Sequence, residues 1–184
     1  MTRRSDIDAA LQAIYDQIPA MAGCKGHCWI SCGPVPMSDR ERQRLRERGF
    51  RVTSHNEARA SDHIFWCEAL TGDGKCGAYD MRPAQCRIWG TERLTPCPYG
   101  CQPGQALSTR EALRLFLESL AAGGGQDLGV NVREEDIPAI LERAREHHDA
   151  LERLISSHQG DEIRMARYGT TIPPEVAKRG KLRR

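Results

Sequence analysis

Aromatic side chains are scarce in this chain, at 5% of 184 residues, while charged side chains make up 28%. A core built from that composition is modest and mainly aliphatic, sized for one domain with at most a small appendage. Net charge is also nearly absent: the formal balance of +2 does not announce a nucleic-acid binder. No apolar run approaches the length of a membrane-crossing helix. Residues 1–18, MTRRSDIDAALQAIYDQI, lack the continuous apolar stretch of a signal peptide, with Asp6 and Asp8 interrupting any targeting pattern. The expected address is therefore cytoplasmic, with no membrane partner. Phosphate-binding loops, GxSxG elbows and HExxH helices are missing too, which removes the usual nucleotide, serine-hydrolase and zinc-protease readings. No repeat or low-complexity tract stands out.

Against these absences, eight cysteines crowd the middle of the chain, at 24, 28, 32, 67, 76, 86, 97 and 101. In a small secreted protein that density would indicate disulfides. In a reducing cytoplasm it indicates metal or redox chemistry instead, although the even count suits both.

The flanking segments read as helices. Residues 5–18 carry Ile7, Leu11, Ile14 and Ile18 at helical spacing, with Ser5 as a cap and Pro19 after the end. Ser38 and Asp39 open the charged segment SDRERQRLRERG, which Gly49 closes; with Leu45 its one apolar residue, it reads as an exposed helix. Short strands are expected near Phe50–Thr53 and Ile64–Cys67. From 76 to 104 the chain is rich in proline and glycine and has little apolar surface to bury, so something other than a core must order it. Ser108 and Glu111 form a capping box for a helix through Leu120. Asp136 starts the longest helix, with Pro138 in its first turn and a stripe of Ile137, Leu141, Ala144, His148, Leu151 and Ile155. The basic tail from Val176, VAKRGKLRR, is expected to be loose.

The first cysteine cluster, CKGHCWISCGP, is spaced C-x3-C-x3-C. Three thiols that close converge on a helix face or within a glycine-rich loop, which favours coordination over three separate disulfides. The spacing is neither the C-x2-C pair of zinc ribbons nor the C-x2-C-x2-C run of bacterial ferredoxins. The second group is Cys67, Cys76, Cys86, Cys97 and Cys101, the last two again C-x3-C. Two four-thiolate sites would use all eight cysteines. So would one iron–sulfur cluster with one zinc, while a single cluster would leave spare thiols.

The stretch CGAYDMRPAQCRIWG supports this reading physically. Four thiolates around Zn²⁺ or a [4Fe–4S]²⁺ core leave a site charge of about −2, and burying it without counter-charge is costly. Arg82 and Arg87 supply that charge, with Lys75 and Arg93 nearby. Pro83 suits the first position of a short helix ended by Gly90. Cys86 then falls near its first turn, where the helix dipole favours a thiolate.

CEALTGDGKCGAYDMRPAQCRIW, preceded by CKGHCWISC, resembles the YkgJ-type cysteine-cluster family, described as zinc- or iron-chelating. Cys67, Leu70, Gly74, Cys76, Tyr79, Arg82, Pro83, Cys86 and Arg87 match its second motif, and Ser38 and Glu41 the segment before it. The likeness covers roughly residues 24–101. The first cluster departs from it: Trp29 follows Cys28 where many relatives have adjacent cysteines. The resemblance implies metal or iron–sulfur binding. The cysteine motif is also similar to that of a flagellin lysine methylase, a much longer chain.

Other candidates carry less. His27 adjoins Cys28, but a histidine there more often stands beside a ligand than replaces one. His55 and His63 have no partner spacing, and His147 and His148 read as surface and boundary residues. Trp29, Trp66 and Trp89, each within three residues of a cysteine, are expected to shield the centre from water.

The sequence thus predicts a mainly α protein with a loop-rich, metal-ordered cysteine-cluster centre and some α+β content. Residues 1–104 form the metal-binding domain, 105–160 a helical region packing on it, and 161–184 a basic tail. All eight cysteines are candidate ligands, with Arg82, Arg87, Pro83 and Tyr79 around them. The cofactor is an iron–sulfur cluster, favoured slightly, or zinc. A structural or adaptor role stands beside a cluster-dependent redox or group-transfer activity on a protein partner, and four-thiolate closure against an open iron position separates the two.

Overall fold

Ile7, Leu11 and Ile14 recur on one face of the first helix, and that face is what the helix buries. In the computed structural model α1 runs Arg4–Tyr15, with Leu11 at 0% exposure. The structure describes residues 3–24, 28–53, 66–92, 95–97, 99–146 and 171–179, with the backbone alone at 28, 127, 145 and 146. Ser5 lies inside α1 rather than capping it; the Asp6 carboxylate accepts from the Arg3 N–H at 3.3 Å instead. The helix ends three residues before the expected Ile18 because Pro19 disfavours helical backbone at the residue before it. Gln17 and Ile18 close the end with turn bonds to the Ile14 and Tyr15 carbonyls.

The charged segment forms α2, Asp39–Glu47, behind the Ser38–Glu41 capping box. Here the expectation of an exposed helix fails: Glu41 and Arg42 are 1% and 3% exposed, beside Leu45 at 4%. A helix with one apolar residue buries a face here chiefly by satisfying Glu41. Glu41 accepts from the Ser38 N–H and hydroxyl, both at 2.8 Å, from the Tyr15 hydroxyl at 2.8 Å and from the Ala84 N–H at 2.7 Å. Arg42 donates to the Thr53 carbonyl at 3.3 Å.

Residues 50–53 do not form the strand that was expected. Phe50 turns back onto the Leu45 carbonyl, and Thr53 is held through its N–H and hydroxyl by the Glu68 carboxylate. The other expected strand, from Ile64, begins outside the described residues, and Trp66 and Cys67 are irregular. Among the described residues the strands are two residues each: β1, Met21–Ala22, pairs antiparallel with β2, Gln102–Pro103, in the register Met21↔Pro103 and Ala22↔Gln102. Between them lies α3, Ala84–Ile88, with Pro83 as its extended N-cap rather than its first helical residue.

The Ser108–Glu111 box starts α4, Thr109–Gly123, which runs three residues past Leu120 to end at Gly124. Gly123 is required there: a Cβ would run into the Ser38 side chain at the start of α2. α4 is the central element, packed against α1, α2, α3 and a fifth helix, α5, Ile137–Glu146. Leu115 of α4 meets Leu11, Ile14 and Tyr15 of α1 and Ala84 and Ile88 of α3 in the largest core cluster. Leu117 meets Ile137 and Leu141 of α5 on another face. His148, Leu151 and Ile155 of the predicted stripe lie outside the described residues, as do His27, His55, His63, Arg93 and His147.

The expected loose tail is also corrected as far as Arg179. Pro174–Ala177 form a short helix, α6, and Val176 is at 0% exposure among Trp29, Ile30, Trp66 and Leu70. The protein is therefore mainly α, with one two-stranded sheet among the described residues. Among the described residues no helix is long and apolar enough to cross a membrane.

Candidate metal centre

Cys67 and Cys76 are brought side by side by a tight reversal of the chain. Thr71 organises it: its N–H donates to the Lys75 carbonyl at 2.9 Å, and its hydroxyl engages Asp73 and the Lys75 carbonyl at 2.5 and 2.8 Å. Leu70 and Cys76 then form an antiparallel bridge, and the Gly77 N–H reaches the Ala69 carbonyl at 2.8 Å. Gly74 takes a φ of +75°, where a side chain would also press on Trp29 and Ile172. Glycine is the residue that such a left-handed, crowded position admits.

Cys86 arrives from α3. Glu41 fixes the start of that helix through the Ala84 N–H, so a buried carboxylate of α2 sets where the thiol stands. All three thiols are partly buried, and each is pushed above its ordinary pKa, chiefly by burial. Cys67 rises to about 11 despite the Ala69 amide and the Arg179 charge, which favour its thiolate, while Cys76 and Glu68 oppose it. Cys76 is favoured as a thiolate by the Ala78 amide and Arg82 and opposed by Asp80. Cys86 is raised further by Cys67, Cys76 and Glu41, with Arg82 opposing. Cys76 acts on Cys67, and both act on Cys86, so the three thiols share one electrostatic neighbourhood. A cation among them would reverse the balance, since coordination deprotonates a thiol outright.

Cys32 joins this group through the backbone, its carbonyl accepting from the Cys67 N–H at 3.0 Å. It packs against the cluster of Trp29, Trp66, Leu70 and Val176. Trp29 and Trp66 sit 6.1 Å apart between ring centroids and are almost fully buried, whereas Trp89 is only partly so.

Cys24, Cys97 and Cys101 lie along the segments that flank the two-stranded sheet. The β1–β2 pair sets Gly23 beside Cys101, whose thiol donates to the Gly23 carbonyl at 3.4 Å. Cys24 follows Gly23 and is exposed, Cys101 is buried, and Cys97 is partly buried. The Gly100 N–H closes a turn onto the Cys97 carbonyl at 3.0 Å, and Gly90 lies between Cys97 and Met21. The Cys28 side chain lies outside the described residues.

The residues expected around the thiols divide by role. Arg82 stacks its guanidinium 3.8 Å over the Tyr79 ring, and its charge reaches Cys76 and Cys86. Arg87 instead clamps backbone, donating to the Arg82 and Asp80 carbonyls at 2.8 Å each, and lies over the Tyr15 ring. Tyr79 is 51% exposed and Pro83 is buried. Lys75 pairs with Asp73 at the surface. Two contributors escaped the sequence reading. Glu41 was legible only as part of the segment before the second cysteine motif, and nothing local announced its grip on α3. Arg179 lies 112 positions from Cys67, the residue to whose carbonyl it donates.

Thiols of this kind suit zinc or an iron–sulfur cluster, both of which prefer soft sulfur donors. Among the described residues no three of histidine, cysteine, aspartate and glutamate stand close enough to hold an ion as they are. Binding would draw the sulfurs inward to metal–sulfur distances of about 2.3 Å. No family model, curated protein or solved structure matches the chain.

Proposed function

We propose that this chain is a cysteine-rich metal-binding protein that holds an iron–sulfur cluster, zinc or one of each through two groups of thiolates. The inner group is Cys32, Cys67, Cys76 and Cys86, and the outer group is Cys24, Cys28, Cys97 and Cys101. One observation carries the reading: Cys67, Cys76 and Cys86, from a chain reversal and a separate helix, meet in one neighbourhood where ionised thiols repel. In a reducing cytoplasm such a gathering of thiols favours metal coordination over disulfide pairing. The cationic surroundings add to it, because a tetrathiolate centre of charge about −2 needs counter-charge when buried, and Arg82 reaches two of the three sulfurs. The same surroundings favour the cluster slightly over zinc.

Inner closure by four thiolates makes this centre structural or electron-transferring rather than catalytic. A cytoplasmic setting, which keeps the thiols reduced, completes the reading. The resemblance to YkgJ-type cysteine-cluster proteins points the same way. When bound, the metal would cross-link segments that have little apolar surface of their own. This chain's residues position the thiols, exclude water on the tryptophan side and supply positive charge.

The test is the metal content of single-ligand variants. Cys76→Ser is expected to lose the inner centre and lower the melting temperature, while Cys101→Ser loses the outer centre and leaves the inner one loaded. Metal content equal to the parent protein in both variants would defeat the assignment.

A further inference from the structure

The segment Thr171–Arg179 follows no pattern that would tie it to the cysteines, yet it lies against them. Val176 is at 0% exposure in the cluster with Trp29, Ile30, Trp66 and Leu70, and Ile172 packs on the same cluster. The Trp66 indole N–H donates to Glu175 Oε1 at 3.3 Å. Arg179 closes the contact, its guanidinium donating to the Cys67 carbonyl at 2.5 Å. The seat is shaped for this segment: at Gly72, between Cys67 and Cys76, a Cβ would collide with the Arg179 and Ala177 carbonyl oxygens.

Apolar packing alone would explain Val176 and Ile172 but not a guanidinium held on the backbone of a thiol-bearing residue. Arginine holds its charge throughout the accessible pH range and offers several donors from one plane. Held on the Cys67 carbonyl, that charge stands beside a thiol-bearing residue.

We propose that Thr171–Arg179 is a strap that closes the inner thiolate centre, in which Arg179 positions Cys67 and supplies positive charge to the bound metal's tetrathiolate shell. This rests on the metal-binding reading above and assigns the C-terminal segment a role in metal retention.

The test uses the full chain purified with its own metal, in parent form and as Arg179→Ala, Arg179→Gln and Arg179→Lys. Metal content at purification, the rate of metal loss to excess chelator and the melting temperature are measured on each. Arg179→Ala is expected to release metal about tenfold faster or more, the usual effect of removing a group that supports a ligand. Lysine keeps the charge and glutamine keeps only donors, so Arg179→Lys is expected to retain metal better than Arg179→Gln at similar melting temperatures. Should Arg179→Ala not fold, the lysine–glutamine pair decides alone. Release at the parent rate in Arg179→Ala, or equal release from the lysine and glutamine variants, overturns the strap's electrostatic role while leaving the metal reading intact. A parent protein that carries no metal overturns both.

Discussion

Glu41 is where the physical chemistry of single residues is most exposed. A carboxylate at 1% exposure survives because four donors converge on it, from Ser38 twice, Tyr15 and Ala84. Glu41→Gln replaces an acceptor-only group by one that must turn an amide toward those donors, and is expected to cost about 1–3 kcal/mol in denaturant unfolding. The same site gives a pH dependence. Tyr15 has its pKa raised above the ordinary 10.0, first by burial and then by the Glu41 charge. A phenol held neutral in the fold contributes in full below pH 10.0 and loses that contribution as pH rises beyond it. Stability is therefore expected to fall on the alkaline side of pH 10.0, and less steeply in Tyr15→Phe; an identical alkaline slope in the two proteins would remove the tyrosine from the account. At this scale the cysteines and Arg82 were legible because their chemistry is intrinsic to residue type. Glu41 and Arg179 were not, because their importance comes from partners 43 and 112 positions away.

Helices explain which predictions travel from sequence to fold. The Ser108–Glu111 capping box formed as expected, since it is decided within four consecutive residues, and α2 starts behind Ser38 where Ser38 and Asp39 placed it. The start of α5 beside Pro138 was legible for the same reason. The exposed reading of α2 failed because burial of Glu41 and Arg42 depends on what other elements offer them. A strand at 50–53 failed because pairing needs a neighbouring strand, and these residues instead meet α2 and Glu68. The central helix α4 gives a plain stability prediction. Leu115, fully buried between α1 and α3, is expected to cost about 2–5 kcal/mol on change to alanine, read as a shift in the urea midpoint. A cost below that range would mean that α1 and α3 close the gap readily.

In the whole molecule, the aliphatic core lies among α1, α3, α4 and α5, and the cysteine loops hang from it by a few specific links. Glu41 pins α3, the β1–β2 pair sets Cys101 against Gly23, and the C-terminal segment covers the Cys67–Cys76 reversal. Small apolar clusters around Trp29 and Met37 complete the loop region. On the proposed metal-binding reading the thiols' ligand supplies much of the loops' order, and removal of metal should loosen the middle of the chain before α4. The measurement that bears most directly on this is made on protein purified without oxygen: an absorption spectrum with iron, acid-labile sulfide and zinc quantified on one sample. The expected result is bound metal, either brown protein with about four iron and four sulfide per cluster or colourless protein with about one or two zinc ions. Protein free of both metals, with its thiols paired as disulfides, would contradict the central claim.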